Sequence, residues 1–195
     1  MIDSAMELVS SQLNQFLQRS FDLDEDIVVV SNIVEQDGTL LTHVDNKLAM
    51  FLVNIEKDYF PHRGDTNGRS AGSDRSALGY RPVYLNLYVM FAANFSGNNY
   101  TESLKFISNT ISYFQRRPVF DHSNTPDLDS RIEKLILDIE NLPITDLANL
   151  WGILSGKYMP SILYRMRMVA YDSTDIVTQV PSVRDLPSRP PRIRR

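Results

Sequence analysis

Residues Val83 to Phe95 constrain the fold of this chain more than any other stretch. Leu85, Leu87, Val89, Phe91, Ala93 and Phe95 fall on alternate positions, with Tyr84, Asn86, Tyr88 and Asn94 between them. A period of two is that of a β-strand, whose successive side chains point to opposite sides of the pleat. One of its faces is wholly apolar and has to be covered by another layer, so the segment predicts a sheet that carries helices. Aromatic groups on the second face would suit base stacking if arginine or lysine were interleaved. None is, and a half-buried interface or a second packing layer is the better reading.

Lys47 to Ile55 adds to this constraint. Leu48, Met50 and Leu52 lie on one face, and Ala49, Phe51, Val53 and Ile55 on the other. Apolar residues on both faces predict a central strand covered on both sides. Upstream, Ile27 to Val30 is β-branched, and Gln36-Asp37-Gly38 supplies turn chemistry before a further strand expected over Thr39 to Val44. Downstream, Ser161 to Tyr171 alternates Ile162, Tyr164, Met166, Met168 and Ala170 against Leu163, Arg165, Arg167 and Val169, a strand with a mixed outer face.

Three segments have helical spacing. Ile2, Met6, Val9, Leu13 and Phe16 form a stripe over Ser4 to Ser20, with Ser4 and Glu7 at capping-box spacing and an acidic cluster (Asp22, Asp24, Glu25, Asp26) ending the helix. Asn99 and Glu102 repeat that spacing before Tyr100, Leu104, Ile107, Ile111 and Phe114. There Arg116 and Arg117 complement the helix dipole and Pro118 stops the helix. Leu147, Leu150, Trp151 and Leu154 define the third helix, with Thr145 as N-cap and Gly156 as terminator. Arg131 to Glu140 fits either period, so the pattern leaves helix and strand open. The element order predicts an α+β fold, a mostly antiparallel sheet with flanking helices in a single domain. Trp151, Leu147, Leu154, Phe91 and Phe114 are its expected core.

Composition agrees with one domain: 195 residues, 43% hydrophobic and 23% charged. With zero cysteines there is no disulfide, thiolate metal site or cysteine nucleophile. The first residues have neither a basic nor an apolar signal region. The longest apolar run, Leu87 to Ala93, is far below the roughly 20 residues of a membrane span. The expectation is a soluble cytoplasmic protein with no membrane span.

Charge is unevenly spread. Arg184 to Arg195 hold five arginines against one aspartate, whereas the other 183 residues carry 15 basic and 23 acidic side chains. Pro187, Pro190 and Pro191 fix φ and remove donors, so this basic arm is expected to be extended. It reads either as an arm for an acidic partner surface or phosphate, or as a solvated end. Pro61 to Pro82 contains four of the eight glycines (Gly64, Gly68, Gly72, Gly79) and predicts a long, mobile, glycine-rich surface loop. Candidate partner contacts are Arg184, Arg189, Arg192, Arg194 and Arg195 in the arm and Arg63, Arg69 and Arg75 in the loop.

Signs of chemistry are few. Asp121-His122-Ser123 are adjacent in sequence and so cannot face one another as a triad. The acidic cluster after the first helix lacks the glycine turn and twelfth-position glutamate of a calcium loop. Arg63-Gly64-Asp65 reads as a chance tripeptide, and the glycine-rich loop has no phosphate-loop ending. The two sequons, at Asn94 and Asn99, carry no weight without an export signal. No Rossmann fingerprint, metalloprotease helix or kinase set occurs. The expectation is a non-enzyme without catalytic, metal or cofactor residues. A nucleic-acid-binding module using the arginine-rich arm is the alternative.

Three blocks together resemble a known family. These are Tyr84-Leu-Asn-Leu-Tyr88 followed by Phe91; Tyr100, Leu104, Phe106, Phe114-Gln115 and Val119-Phe120; and Leu150-Trp151, Leu154, Lys157-Tyr158 and Pro160-Ser161 running into Tyr164. The pattern, over roughly Met1 to Tyr171, resembles the cap, or tail-terminator, family of phage-tail-like contractile injection systems. The resemblance implies an α/β fold, with Arg131 to Glu140 a strand, and a homohexameric ring at the baseplate-distal end of the tail. There it would stop growth of the inner tube and the sheath, whose proteins would be its partners. It also implies cytoplasmic assembly within such a particle, release of the particle being left open, and no nucleic acid as partner. The expected division is a cap domain over 1–172 and an extended basic arm over 173–195.

Overall fold

The computed structural model describes residues 1–35, 38–39, 41–58, 75–79, 83–97, 99–154, 158–170 and 176–181, with only the backbone described at 75–79 and 176–181. In chain order the elements are α1 (Ile2–Phe21), β1 (Val28–Val30), a 3₁₀ turn (Thr42–Val44), β2 (Lys47–Lys57), β3 (Arg75–Gly79), β4 (Val83–Asn94), α2 (Tyr100–Arg116), β5 (Val119–Asp121), β6 (Ile132–Ile139), α3 (Ile144–Ile153), β7 (Ser161–Ala170) and β8 (Ile176–Pro181). Six strands form one sheet in the order β1-β2-β4-β7-β6-β5, and β3 pairs with β8 in a separate ribbon. Within the main sheet β1 and β2 run parallel and every other pair is antiparallel. The sheet is thus mixed, and the α+β expectation holds.

The long strand read from the sequence is β4, and it lies inside the sheet between β2 and β7. Its odd-numbered face (Leu87, Val89, Phe91, Ala93) joins the larger core, with Leu13 and Leu17 of α1 and Phe106 and Phe114 of α2. Phe91 meets Phe114 at 5.4 Å and Tyr164 at 5.7 Å between ring centroids, and Phe114 meets Tyr164 at 5.1 Å. The even-numbered face (Met90, Ala92) packs with Ala49, Phe51 and Leu163 against Trp151 of α3. As β2 predicted, both faces are covered: Leu48 and Met50 point to one core, Ala49 and Phe51 to the other.

Edge strand β1 is closed by a side chain. Asn14 of α1 accepts hydrogen bonds from the amides of Ile27 (2.9 Å) and Val28 (2.7 Å), and its own Nδ2 donates to the Val28 carbonyl at 2.8 Å. One carboxamide thus takes the place of a further strand and leaves no free edge at Val28.

Several expectations need correction. Thr39 to Val44 is not a strand. Residues 42–44 make a 3₁₀ turn in which the Val44 amide donates to Leu41, so that Val44 drops into the second core and its carbonyl accepts from Asn94. α1 begins at Ile2 rather than Ser4, and the Ala5 amide donates to the Met1 carbonyl. On α2 the buried stripe is Ser103, Phe106, Thr110, Tyr113 and Phe114, while Tyr100 and Leu104 are exposed. The Ser103 hydroxyl donates to the Tyr100 carbonyl and that of Thr110 to the Phe106 carbonyl. Satisfied in this way, two small polar residues take the sheet-facing positions and displace the larger apolar ones. α3 starts at Ile144 after Pro143, so Thr145 lies inside the helix. Residues 132–139 are strand, as the family resemblance implied.

Residues 75–79 correct the reading of an irregular stretch from Pro61 to Pro82, because they pair in strand β3 with β8. The pair Gly79↔Ile176 follows the last pair of the β4–β7 ladder, Val83↔Ala170, and Arg75↔Pro181 stands at the far end. The ribbon therefore continues the two central strands in chain order. The rest of that stretch, the Gln36-Asp37 turn, Gly156, and residues 173–175 and 182–195 of the arm expected over 173–195 lie outside the described residues.

Candidate interaction surfaces

Of the proposed contact arginines, Arg75 opens β3; Arg63, Arg69, Arg184, Arg189, Arg192, Arg194 and Arg195 lie outside the described residues. Trp151, Phe91 and Phe114 are buried, Trp151 in the second core and the other two in the first. Leu147 and Leu154 are half-buried beside Trp151.

The polar groups that looked like chemistry have structural partners. The Asp121 carboxylate accepts from the Ser123 hydroxyl and from the amides of Ser123 and Asn124. These bonds, that of the Ser123 hydroxyl foremost, hold it below the usual carboxylate range. His122 points elsewhere, its Nε2 lying 2.8 Å from the Ile132 carbonyl oxygen. Arg117 does more than complement a helix dipole. Its guanidinium donates to Gln12, to the Asn124 carbonyl and to the Thr125 hydroxyl, and stands 5.1 Å above the Phe120 ring. It ties α1, α2 and the turn after β5 together. Ser31 Oγ lies 2.7 Å from His43 Nε2 on the surface. Among the described residues no group of three histidines or carboxylates is placed to hold a metal ion. None of the described helices is long and apolar enough to cross a membrane.

The unusual surface lies around α3, which buries only Trp151. Ile144 is 85% exposed, Ile153 82% and Tyr158 63%. Ile144 and Tyr158, with Leu147, Ala148, Trp151 and Gly152, line an open groove of about 560 Å³. A β-carbon built on Gly152 would meet nothing within 4 Å among the described residues, which give no steric reason for glycine there. The Trp151 indole N–H has no hydrogen-bond partner among the described residues. Sequence periodicity identified α3 and its anchor, yet gave no sign that two isoleucines would face outward.

On the other flank of α3 lies a second groove, of about 280 Å³. Its apolar lining comes from Val53, Leu142, Leu150 and Leu163, and its polar rim from Glu56, Glu140, Asp146 and Tyr88. The Tyr88 hydroxyl donates to Glu56 at 3.0 Å, and Arg165 Nε stands 3.6 Å from Glu140. Desolvation pushes the Tyr88 hydroxyl above its ordinary pKa, and the negative charges of Glu56 and Glu140 add to this. The rim therefore bears three carboxylates with one arginine beside them.

With this geometry in view, the sequence matches the family model of the Pvc16 N-terminal domain over residues 7–185. The chain belongs to the Pvc16 N-terminal domain family. No curated protein matches it. Among solved structures, it is similar to the PVC sheath/tube terminator of an extracellular contractile injection system in the extended state, with TM-score 0.55 and 14% identity over 95% of this chain and 64% of that one. It is also similar to the tube-terminating cap of the anti-feeding prophage, with TM-score 0.60 and 14% identity over 92% of this chain and 59% of that one. The Pvc16-type chain thus spans less than two thirds of either protein. At this identity the likeness is one of fold, and the cap-family resemblance read from the three sequence blocks is borne out.

Proposed function

We propose that this Pvc16-type domain is a structural terminator, a cap that ends the inner tube and sheath of a contractile injection system. The observation that carries this reading is the likeness of its fold, over 92% and 95% of the chain, to two proteins that end such tubes. The surface supports it: α3 presents bulky apolar side chains to solvent, which suits a subunit built to be covered by others. The reading includes a homohexameric ring at the baseplate-distal end, contacts to sheath and tube subunits, and assembly in the cytoplasm. In a closed ring of one kind of subunit each interface is heterologous, so every copy presents two different surfaces. Its role requires no enzymatic chemistry.

Negative-stain imaging of particles from a strain lacking this protein tests the reading. The expected result is tails of uncontrolled length, or fraying at one end. Particles of normal length with intact ends would overturn it.

A further inference from the structure

The carboxylate-rimmed groove beside α3 combines an apolar floor with negative charge, and the same chain carries a segment of matching character. Residues 184–195 alternate arginines with Leu186, Pro187, Pro190, Pro191 and Ile193, and no other stretch concentrates positive charge in this way. Val53, Leu142 and Leu150 offer half-buried apolar surface to the aliphatic and proline side chains, while Glu56, Glu140 and Asp146 stand around them for the guanidinium groups. Arginine pairs with carboxylates through two parallel N–H donors, which gives such a contact direction as well as attraction.

We propose that this groove is the seat of residues 184–195 of a neighbouring copy of the chain. The chain path favours a neighbour over the same copy. β8 follows β7 in the chain and carries the backbone along the ribbon to Pro181, which pairs with Arg75 at the end of that ladder. Six residues of strand cover about 20 Å in that direction. The prolines that follow favour an extended path of about 3.1 Å per residue over a reversal onto the subunit's own groove. Fourteen residues beyond Pro181 then reach about 40 Å, enough to cross onto an adjacent subunit. The inference rests on the assembly of copies proposed above and names one of the contacts that hold it.

The zero cysteine count makes a crosslinking test clean. Two full-length chains, one carrying Asn54→Cys on the exposed groove rim and the other Ile193→Cys, are mixed under mild oxidant. A disulfide-linked heterodimer is the expected product, with its yield falling severalfold as salt rises from about 50 to about 500 mM, because exposed charge pairs are screened. Adding Glu56→Gln, Glu140→Gln and Asp146→Asn to the first chain should lower the yield about fivefold or more. Adding Asp24→Asn, Glu35→Gln and Asp127→Asn, an equal charge change at exposed positions elsewhere, should leave it unchanged; circular dichroism verifies that both triple variants fold. No heterodimer, or equal loss from the two triple variants, would overturn the proposal. So would a chain carrying both cysteines that closes only on itself as a monomer. The measurement needs no particles, so it and the tail-length experiment can fail separately.

Discussion

The two faces of the central sheet are built from the same alternating strands and end in different states. On the face under α1 and α2, aromatic rings close on one another around Phe91, Phe114 and Tyr164, and the side chains of all three are almost fully buried. The Tyr164 hydroxyl is buried there without a hydrogen-bond partner among the described residues, and burial alone drives its pKa far upward. On the opposite face a single short helix covers part of the sheet through one tryptophan, and open grooves run along both of its flanks. The lesson is a division of labour within one domain. The first face is closed by its own rings, and the second leaves open grooves that the proposed assembly covers.

This contrast makes its sharpest claim about stability. Phe91→Ala should cost about 4–5 kcal/mol, because it empties the centre of the closed face where neighbouring rings cannot collapse into the space. Urea unfolding followed by far-UV circular dichroism checks it, and a loss below about 2 kcal/mol would mean that this face is less tightly packed than its rings suggest.

A smaller loss, about 3 kcal/mol, is expected for Trp151→Ala, since α3 can shift over a face that is already partly open. Trp151 is also the chain's single tryptophan, so its fluorescence reports on this face alone. In the unaltered protein its urea midpoint should precede that of the circular dichroism signal. Coincident midpoints would show that the two faces unfold as one cooperative unit. Normal melting of Trp151→Ala with failed assembly would make Trp151 a contact residue.

The smallest effect, and the most informative about the groove, is expected at Gly152. Glycine within a helix costs about 0.8–1 kcal/mol relative to alanine, and the added β-carbon has open space among the described residues. Gly152→Ala should therefore raise the melting temperature of the isolated subunit by a few degrees. Unchanged assembly would indicate that no partner approaches the helix closely there; weakened assembly would identify the groove as an interface.

The fold and the surfaces were unequally legible from the sequence. Strands β2, β4 and β7 and helix α1 followed from periodicity, because each buries at least one continuous apolar row and the row itself records the period. α2 was located correctly but rotated, since Ser103 and Thr110 read as polar until their hydroxyls are seen bonded to the preceding turn. The strand expected over 39–44 failed because residues 42–44 close a 3₁₀ turn that drops Val44 into the second core.

By itself, the sequence determined that this chain has a sheet with one fully apolar face, no cysteine chemistry, and an acidic body joined to an arginine-rich segment. These depend on residue type and local spacing, which are present before any folding. Only the tertiary structure decided that Asn14 closes the sheet edge, that β3 and β8 pair across about a hundred residues, and that Glu56, Glu140 and Asp146 share one groove. Each of these brings together groups far apart in the chain, and no local pattern encodes such a meeting. It is settled by which apolar faces find one another when the sheet is assembled.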